Sequence, residues 1–218
     1  MPFLTCEAIL FDLDGVLIDS DPIYERHWQR WAARHDVSFE HILAIHHGRT
    51  AIETMRTVAP HLDAKEEARR FNAILSADMD LEGLVAYDGV ARLLPQLPPN
   101  RWAIATSAPR PVALSRLEYL ALPFPSVLVT ADDVAHGKPA PDPYVQAAEG
   151  LGHDPARCLV IEDAPAGIAA AQAAGARVIA LATTNIPDAL GDADAVLARF
   201  IDLEITSETA GLRVSWPG

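Results

Sequence analysis

The sequence predicts an α/β fold: a Rossmann-like parallel sheet core with helices on both faces, plus an inserted helical cap domain. Three observations predict it. Short apolar runs alternate with helical patterns, the arrangement that lays parallel strands side by side and covers them with crossover helices. One strand-to-strand interval, of about 80 residues, is far too long for an ordinary crossover and carries helical spacing of its own. The first apolar run also stops abruptly at Asp12-Leu13-Asp14-Gly15, which reads as a buried strand giving way to a tight turn.

In chain order the strands read as Ala8–Leu13, Trp102–Thr106, Val127–Thr130, Cys158–Glu162 and Arg177–Leu181. Helical patterns fall between them at Pro111–Leu120, Pro143–Leu151 and Ala166–Ala174. The alanine-rich stretch Ala164–Gly175, closed by its glycine, reads as a helix packed tightly on the sheet. Within the long interval, Pro22–Arg34, Phe39–Ile45, Thr50–Val58 and Lys65–Met79 show helical spacing with polar outer faces. These bounds place a core domain at residues 1–19 and 85–218 and a helical insertion at 20–84. Trp28 and Trp31, three apart on one helical face, are read as packing. The tail after Arg199 gives no functional reading.

Bulk properties narrow the function classes. Half of the 218 residues are hydrophobic, enough for a real core, and no apolar stretch approaches the length of a membrane span. The chain enters its first strand almost at once, leaving no secretory signal in view, and its two cysteines do not make a disulfide framework. A cytoplasmic monomer is expected. A formal net charge of −13 argues against a nucleic-acid binder. It leaves room for a small anionic substrate, because a metal and a few local cations can reverse the field inside a pocket.

In open α/β sheets ligands bind beyond the carboxyl ends of the strands, where this sequence collects its polar groups. Of the Asp12/Asp14 pair, one carboxylate suits a nucleophile and the other a proton carrier; equally, such a pair can cap a helix. Glu162-Asp163 reaches the same edge and reads either as a cation site or as a helix cap. Thr106 and Ser107 can hold phosphate oxygens or cap the following helix. Lys138 stands out differently. The chain has 15 arginines and only two lysines, and a protein that so rarely uses the compact ammonium has a use for it where it persists. Lys138 lies in a rigid Gly-Lys-Pro loop; Lys65 lies on an ordinary solvated helix face. In the insertion, His46-His47-Gly48-Arg49-Thr50 reads as a loop reaching toward an anionic, polyhydroxylated substrate or as a plain turn. Arg110 is a further candidate for the pocket.

Four segments carry a family resemblance, in the expected order: Phe11-Asp12-Leu13-Asp14-Gly15-Val16-Leu17, Ala105-Thr106-Ser107, Gly137-Lys138-Pro139-Ala140-Pro141-Asp142-Pro143, and Val160-Ile161-Glu162-Asp163-Ala164-Pro165-Ala166-Gly167. Together they resemble the haloacid dehalogenase superfamily in its phosphatase and phosphomutase form. The resemblance implies that Asp12 is the nucleophile of an aspartyl-phosphate and that Asp14 is the general acid and base. It implies Mg2+ held by Asp12, the Asp14 backbone carbonyl and Asp163, with Glu162 binding directly or through water. Thr106, Ser107 and Lys138 would hold the phosphate, with Lys138 also neutralising Asp12. The resemblance further implies a helical cap that closes over the site; in the loop of that insertion Arg49 is the first candidate for substrate contact, with His47 and Thr50 next.

Within the superfamily, Asp14-Gly15 argues against dehalogenases, the absence of Asp-Lys-Thr-Gly against ATPases, and the solvent-facing Lys65 against phosphonatases. Mutases resembling β-phosphoglucomutase place a histidine ten residues after the second Asp, where this chain has Tyr24, although His27 lies one helical turn on. The stretches through Ile168 and Ala182-Thr183-Thr184 look closer to sugar and polyol phosphate phosphatases, such as those acting on glycerol 3-phosphate or 2-deoxyglucose 6-phosphate. The expected activity is a magnesium-dependent sugar or polyol phosphatase, with a phosphomutase as the alternative. A phosphate-ester binding module without turnover would have no need of the Asp12 nucleophile.

Overall fold

The structure, a computed structural model, describes residues 1–46, 51–77 and 80–218. His47, Arg49 and Thr50, the expected substrate contacts, lie outside the described residues. The chain divides into two compact units, one of Met1–Asp19 with Val85–Gly218 and the other of Ser20–Leu84.

In chain order the elements are β1 (Phe3–Cys6), β2 (Ala8–Phe11), β3 (Ile18–Asp19), α1 (Asp21–His35), α2 (Phe39–Leu43), α3 (Ala51–Val58) and α4 (Ala64–Ala77). There follow β4 (Val85–Ala86), α5 (Val90–Leu93), β5 (Trp102–Ala105), α6 (Arg110–Tyr119), β6 (Leu128–Val129), α7 (Asp142–Gly150), β7 (Cys158–Glu162) and α8 (Pro165–Ala173). The chain ends with β8 (Arg177–Leu181), β9 (Ala195–Leu197), β10 (Glu204–Glu208) and β11 (Gly211–Ser215).

The first unit is built on a six-stranded sheet in the order β6-β5-β2-β7-β8-β9, with every neighbouring pair parallel. The chain starts at β2, fills one side through β5 and β6, and then returns to fill the other from β7. The crevice at that reversal, between neighbours leaving in opposite directions, is where open α/β sheets bind ligands. All four residues of β2 and all five of β7 are buried, as strands covered on both faces must be. Ala8 and Leu10 face α7 and α8, joining Tyr144, Ala147, Ile168 and Ala171 in one core cluster. Phe11, of the opposite parity, packs on the rings of Trp102 and Phe200 at 6.4 and 6.1 Å.

The sequence reading did not anticipate β1, β9, β10 and β11. β1, β11 and β10 form a separate antiparallel sheet, in which β10 and β11 make a hairpin around Thr209-Ala210. The tail after Arg199 is thus structural. Leu212 and Val214 face inward and Arg213 lies over the Phe3 ring, the alternation of a half-buried strand. β3 and β4 are a two-residue ribbon at the junctions with the second unit.

The second unit holds α1 to α4 within Ser20–Leu84. Trp28 and Trp31 are buried, meet edge to face at 5.7 Å, and Phe71 of α4 lies 4.4 Å from Trp28. Their packing role follows directly. His27 is buried as well, edge-on to Phe71 at 6.1 Å, so its ring belongs to this core. No described helix is long and apolar enough to cross a membrane.

Candidate active site

Parallel pairing brings the polar residues to one edge. β2 and β7 are in register through Phe11 and Ile161, so Asp12 and Glu162 emerge side by side, and the Asp12 N–H donates to the Ile161 carbonyl at 3.0 Å. On the other flank Phe11 pairs with Ile104, which sends Thr106 out at the same edge. The chain past Asp12 turns at once. The Gly15 N–H donates to the Ile18 carbonyl at 2.8 Å, and Gly15 has φ +81°, a conformation that disfavours side chains. A Cβ there would also run into the Asp163 carboxylate.

Lys138 is the hub. Its Nζ lies 2.9 Å from Asp12 Oδ1 and 2.7 Å from Glu162 Oε1, and its side chain is only 7% exposed. It also lies 5.0 Å from the centre of the Tyr144 ring. Glu162 is saturated. Oε1 accepts from Lys138 and from the Tyr144 hydroxyl at 2.8 Å, while Oε2 accepts from the backbone N–H groups of Asp163 at 2.8 Å and Ala164 at 3.0 Å. A carboxylate has about four lone-pair directions, and these four donors use them. Gly167 is needed for the same reason, because any Cβ there would collide with Glu162 Oε1.

Asp163 is clasped by the loop after β8. Thr184 donates its hydroxyl to Asp163 Oδ2, and the Asn185 amide donates to the Asp163 carbonyl at 3.0 Å. Thr183 donates to the Gly15 carbonyl, tying the same loop to the turn after Asp14. Asp12, Glu162 and Asp163 offer ligand atoms that all lie within 4.8 Å of one another. The Asp14 carboxylate accepts from Arg116 of α6.

Electrostatics follow from the crowding. Burial pushes the Asp12 carboxyl up, Lys138 pulls it down, and Glu162 and Asp14 push it up again, leaving it at about 7. Asp163 is raised well above the ordinary carboxylate range by burial and then by the charges of Glu162 and Asp12. Burial works against an ionised Glu162 too, but Lys138, the Ala164 N–H and the Tyr144 hydroxyl outweigh it and hold its carboxyl low. Burial likewise disfavours the Lys138 ammonium, yet Asp12 and Glu162 keep it above the usual lysine range. The site is a fixed cation between two carboxylates, with a second aspartate that resists ionisation.

Thr106 is buried and its hydroxyl accepts from the Ala108 N–H at 3.0 Å, while Ser107 is exposed at the turn into α6. Arg110 does not join the site. Its guanidinium is tied to Asp133 at 2.7 Å and to the Leu128 carbonyl at 3.0 Å, bracing the loop after β6. Residues that sequence reasoning missed are Tyr144, Arg116, Thr184 and Asn185. Thr184 enters the sequence reading only as part of a resemblance, and nothing in the spacing marks the others.

A family profile of haloacid dehalogenase-like hydrolases matches residues 6–175. The chain is 39% identical over 213 residues to hexitol phosphatase A of Escherichia coli (strain K12), covering 95% of this chain and 98% of that protein. It is 40% identical over 199 residues to the validoxylamine A 7'-phosphate phosphatase of Streptomyces hygroscopicus subsp. limoneus, covering 88% of this chain and 92% of that one. Among solved structures, a HAD hydrolase of family IA, variant 3, from Entamoeba histolytica superposes with a TM-score of 0.74 at 25% identity, over 91% of this chain and 95% of that chain. The chain belongs to the haloacid dehalogenase-like hydrolase family.

Proposed function

We propose that this haloacid dehalogenase-like hydrolase is a magnesium-dependent phosphatase acting on a small sugar or polyol phosphate monoester. The observation that carries the reading is the Asp12 carboxylate at the end of the central strand, 2.9 Å from a buried Lys138 and beside Asp163. The relatives named for a hexitol and for validoxylamine A 7'-phosphate support the substrate class.

Magnesium fits the donor set. It prefers hard oxygen ligands and few protein carboxylates, and Asp12 and Asp163 offer such oxygens while each is pushed up by burial and by its acidic neighbours. Those two carboxylates and the Asp14 backbone carbonyl would hold the ion, which supplies charge neutralisation around the phosphate. Glu162 has no acceptor direction left, and we assign it to orienting Lys138 instead of ligating metal directly.

The chemistry divides into two balanced steps. An Asp12 carboxylate oxygen bonds to phosphorus as the ester P–O bond breaks, and Asp14 passes a proton to the departing alkoxide. Water then attacks the phosphorus of the aspartyl-phosphate, Asp14 takes its proton, and the P–O bond to Asp12 breaks to free phosphate. Lys138, Thr106 and Ser107 would neutralise and bind the phosphoryl oxygens. A phosphomutase would need a further acid–base histidine; Tyr24 stands where the resembling mutases place one, and the nearby His27 ring is packed on Phe71.

The test is phosphate release from a panel of hexose, hexitol, glycerol and nucleotide monophosphates with and without Mg2+, alongside glucose 1-phosphate to glucose 6-phosphate interconversion. Magnesium-dependent release from a narrow polyol or sugar set is expected. Interconversion with little free phosphate would contradict the reading.

A further inference from the structure

Asp14 is the group on which the proposed proton transfer depends, and it has an anchor with no part in the bond-breaking steps. Its carboxylate accepts from Nη1 of Arg116, 102 positions further along the chain. Arg116 lies in the last turn of α6 on the inward face with Val112, Ala113 and Leu117, all buried, and its side chain is 2% exposed. That is a place for an aliphatic residue. A guanidinium there must be paired, and replacing a buried ion pair by apolar side chains is often neutral or stabilising. Stability alone therefore gives little reason for an arginine.

The pair is also lopsided. Arg116 is enclosed while the Asp14 side chain is 22% exposed, so a rigid buried arm ends on a carboxylate that remains open to solvent. Asp14 needs such an arm. It lies one residue before the Gly15 turn and past the end of β2, where a single isolated bridge to Ile18 holds its backbone and leaves the direction of its carboxylate to other contacts. A planar guanidinium on an enclosed stem fixes the direction of the N–H it donates as a flexible ammonium cannot. The same α6 follows directly on the Thr106-Ser107 turn, so one helix ties the proposed phosphate-binding turn to the proton carrier.

We propose that Arg116 is a positioning residue that aims the Asp14 carboxylate at the leaving-group oxygen. The proposal rests on the phosphatase reading above. The anchor acts only where the leaving group needs a proton, which separates it from a purely structural role: p-nitrophenolate departs without one, whereas the alkoxide of a polyol does not.

The experiment compares kcat/KM for p-nitrophenyl phosphate and for a hexitol 6-phosphate in wild type, Asp14→Asn, Arg116→Met and Arg116→Lys. This parameter covers the transfer step and excludes the later hydrolysis of the intermediate. Arg116→Met is expected to lower the polyol ester by about 100-fold, the low end of general acid contributions, and the aryl ester by less than about 10-fold. Asp14→Asn is expected to show the same selectivity more strongly. Should Arg116→Met fail to fold, Arg116→Lys decides: it keeps the charge and loses the fixed guanidinium plane, and a selective loss of about tenfold on the polyol ester is expected. Equal losses on both esters, or no loss, overturn the positioning role while leaving the phosphatase intact. Absence of turnover in wild type on either ester overturns the phosphatase reading, and the proposal with it.

Discussion

Ion pairs of nearly the same length occur at the carboxyl edge of the sheet and along α4. At the sheet edge Lys138 bridges Asp12 and Glu162 at 2.9 and 2.7 Å. On α4 Arg69 and Arg70 share Glu66 at 2.8 and 2.9 Å. Surroundings separate them. Lys138 is 7% exposed, whereas Glu66 is 37% exposed and both arginines more so. In water such pairs are screened and cost side-chain entropy, so they contribute little. Out of water the three groups set one another's protonation, and removing one leaves the others uncompensated. Distance alone does not identify a functional charge; burial with a complete set of partners does.

The contrast is broken most severely at Lys138. Lys138→Met leaves Asp12 and Glu162 facing each other without a cation, and phosphate release is expected to fall by about 1,000-fold. A steady-state assay at saturating Mg2+ checks it, with circular dichroism to confirm folding. A rate within a few-fold of wild type would place the charge balance elsewhere.

The acidic cluster also predicts a pH dependence for metal binding. Asp12, pushed up to about 7, and Asp163, raised well above its ordinary range, keep their protons to higher pH in the metal-free fold than in the unfolded chain. As pH rises from the ordinary carboxylate range through the folded values, the unfolded chain releases protons that the fold retains, so the metal-free protein loses stability. Magnesium compensates those charges and meets no competing protons at higher pH. The increase in Tm on adding Mg2+ is therefore expected to be larger at pH 8 than at pH 5, as read by calorimetry. An equal increase at both would contradict the coupling.

Tyr144→Phe sharpens the comparison more gently. It removes one of the four donors on Glu162 and leaves the ring, at a cost of about 2 kcal/mol, or roughly 4–8 °C in Tm. Thermal melts measure this, with a small rate loss expected because Lys138 remains. At the weak end, Glu66→Ala on α4 is expected to leave phosphate release unchanged and shift Tm by less than about 2 °C.

Much of the sheet and its polar edge was legible in the sequence because both depend on local pattern. Ala8–Phe11 and Cys158–Glu162 are fully buried, and a fully buried strand can only be an apolar run. Asp12 and Glu162-Asp163 end those runs, so strand and site were read together. Lys138 was legible by scarcity, as one of two lysines. The hairpin Glu204–Ser215 was missed although Leu212 and Val214 alternate with polar neighbours, because one short alternation has no force until its partner β1 is known. Arg116 was one arginine among 15 on a helical pattern, and its meaning comes from Asp14, which only the fold brings near. Glu162 reads in sequence as a ligand held directly or through water, and the four donors on its carboxylate become visible only in the fold.

The central claim is that Asp12 becomes phosphorylated. The most direct measurement mixes enzyme with a polyol phosphate and Mg2+, quenches in acid during turnover, reduces acyl phosphates with borohydride and maps the product by peptide mass spectrometry. The account predicts homoserine at position 12, and none there in Asp12→Asn. Phosphate release with no modified residue, or homoserine at another aspartate, would contradict it.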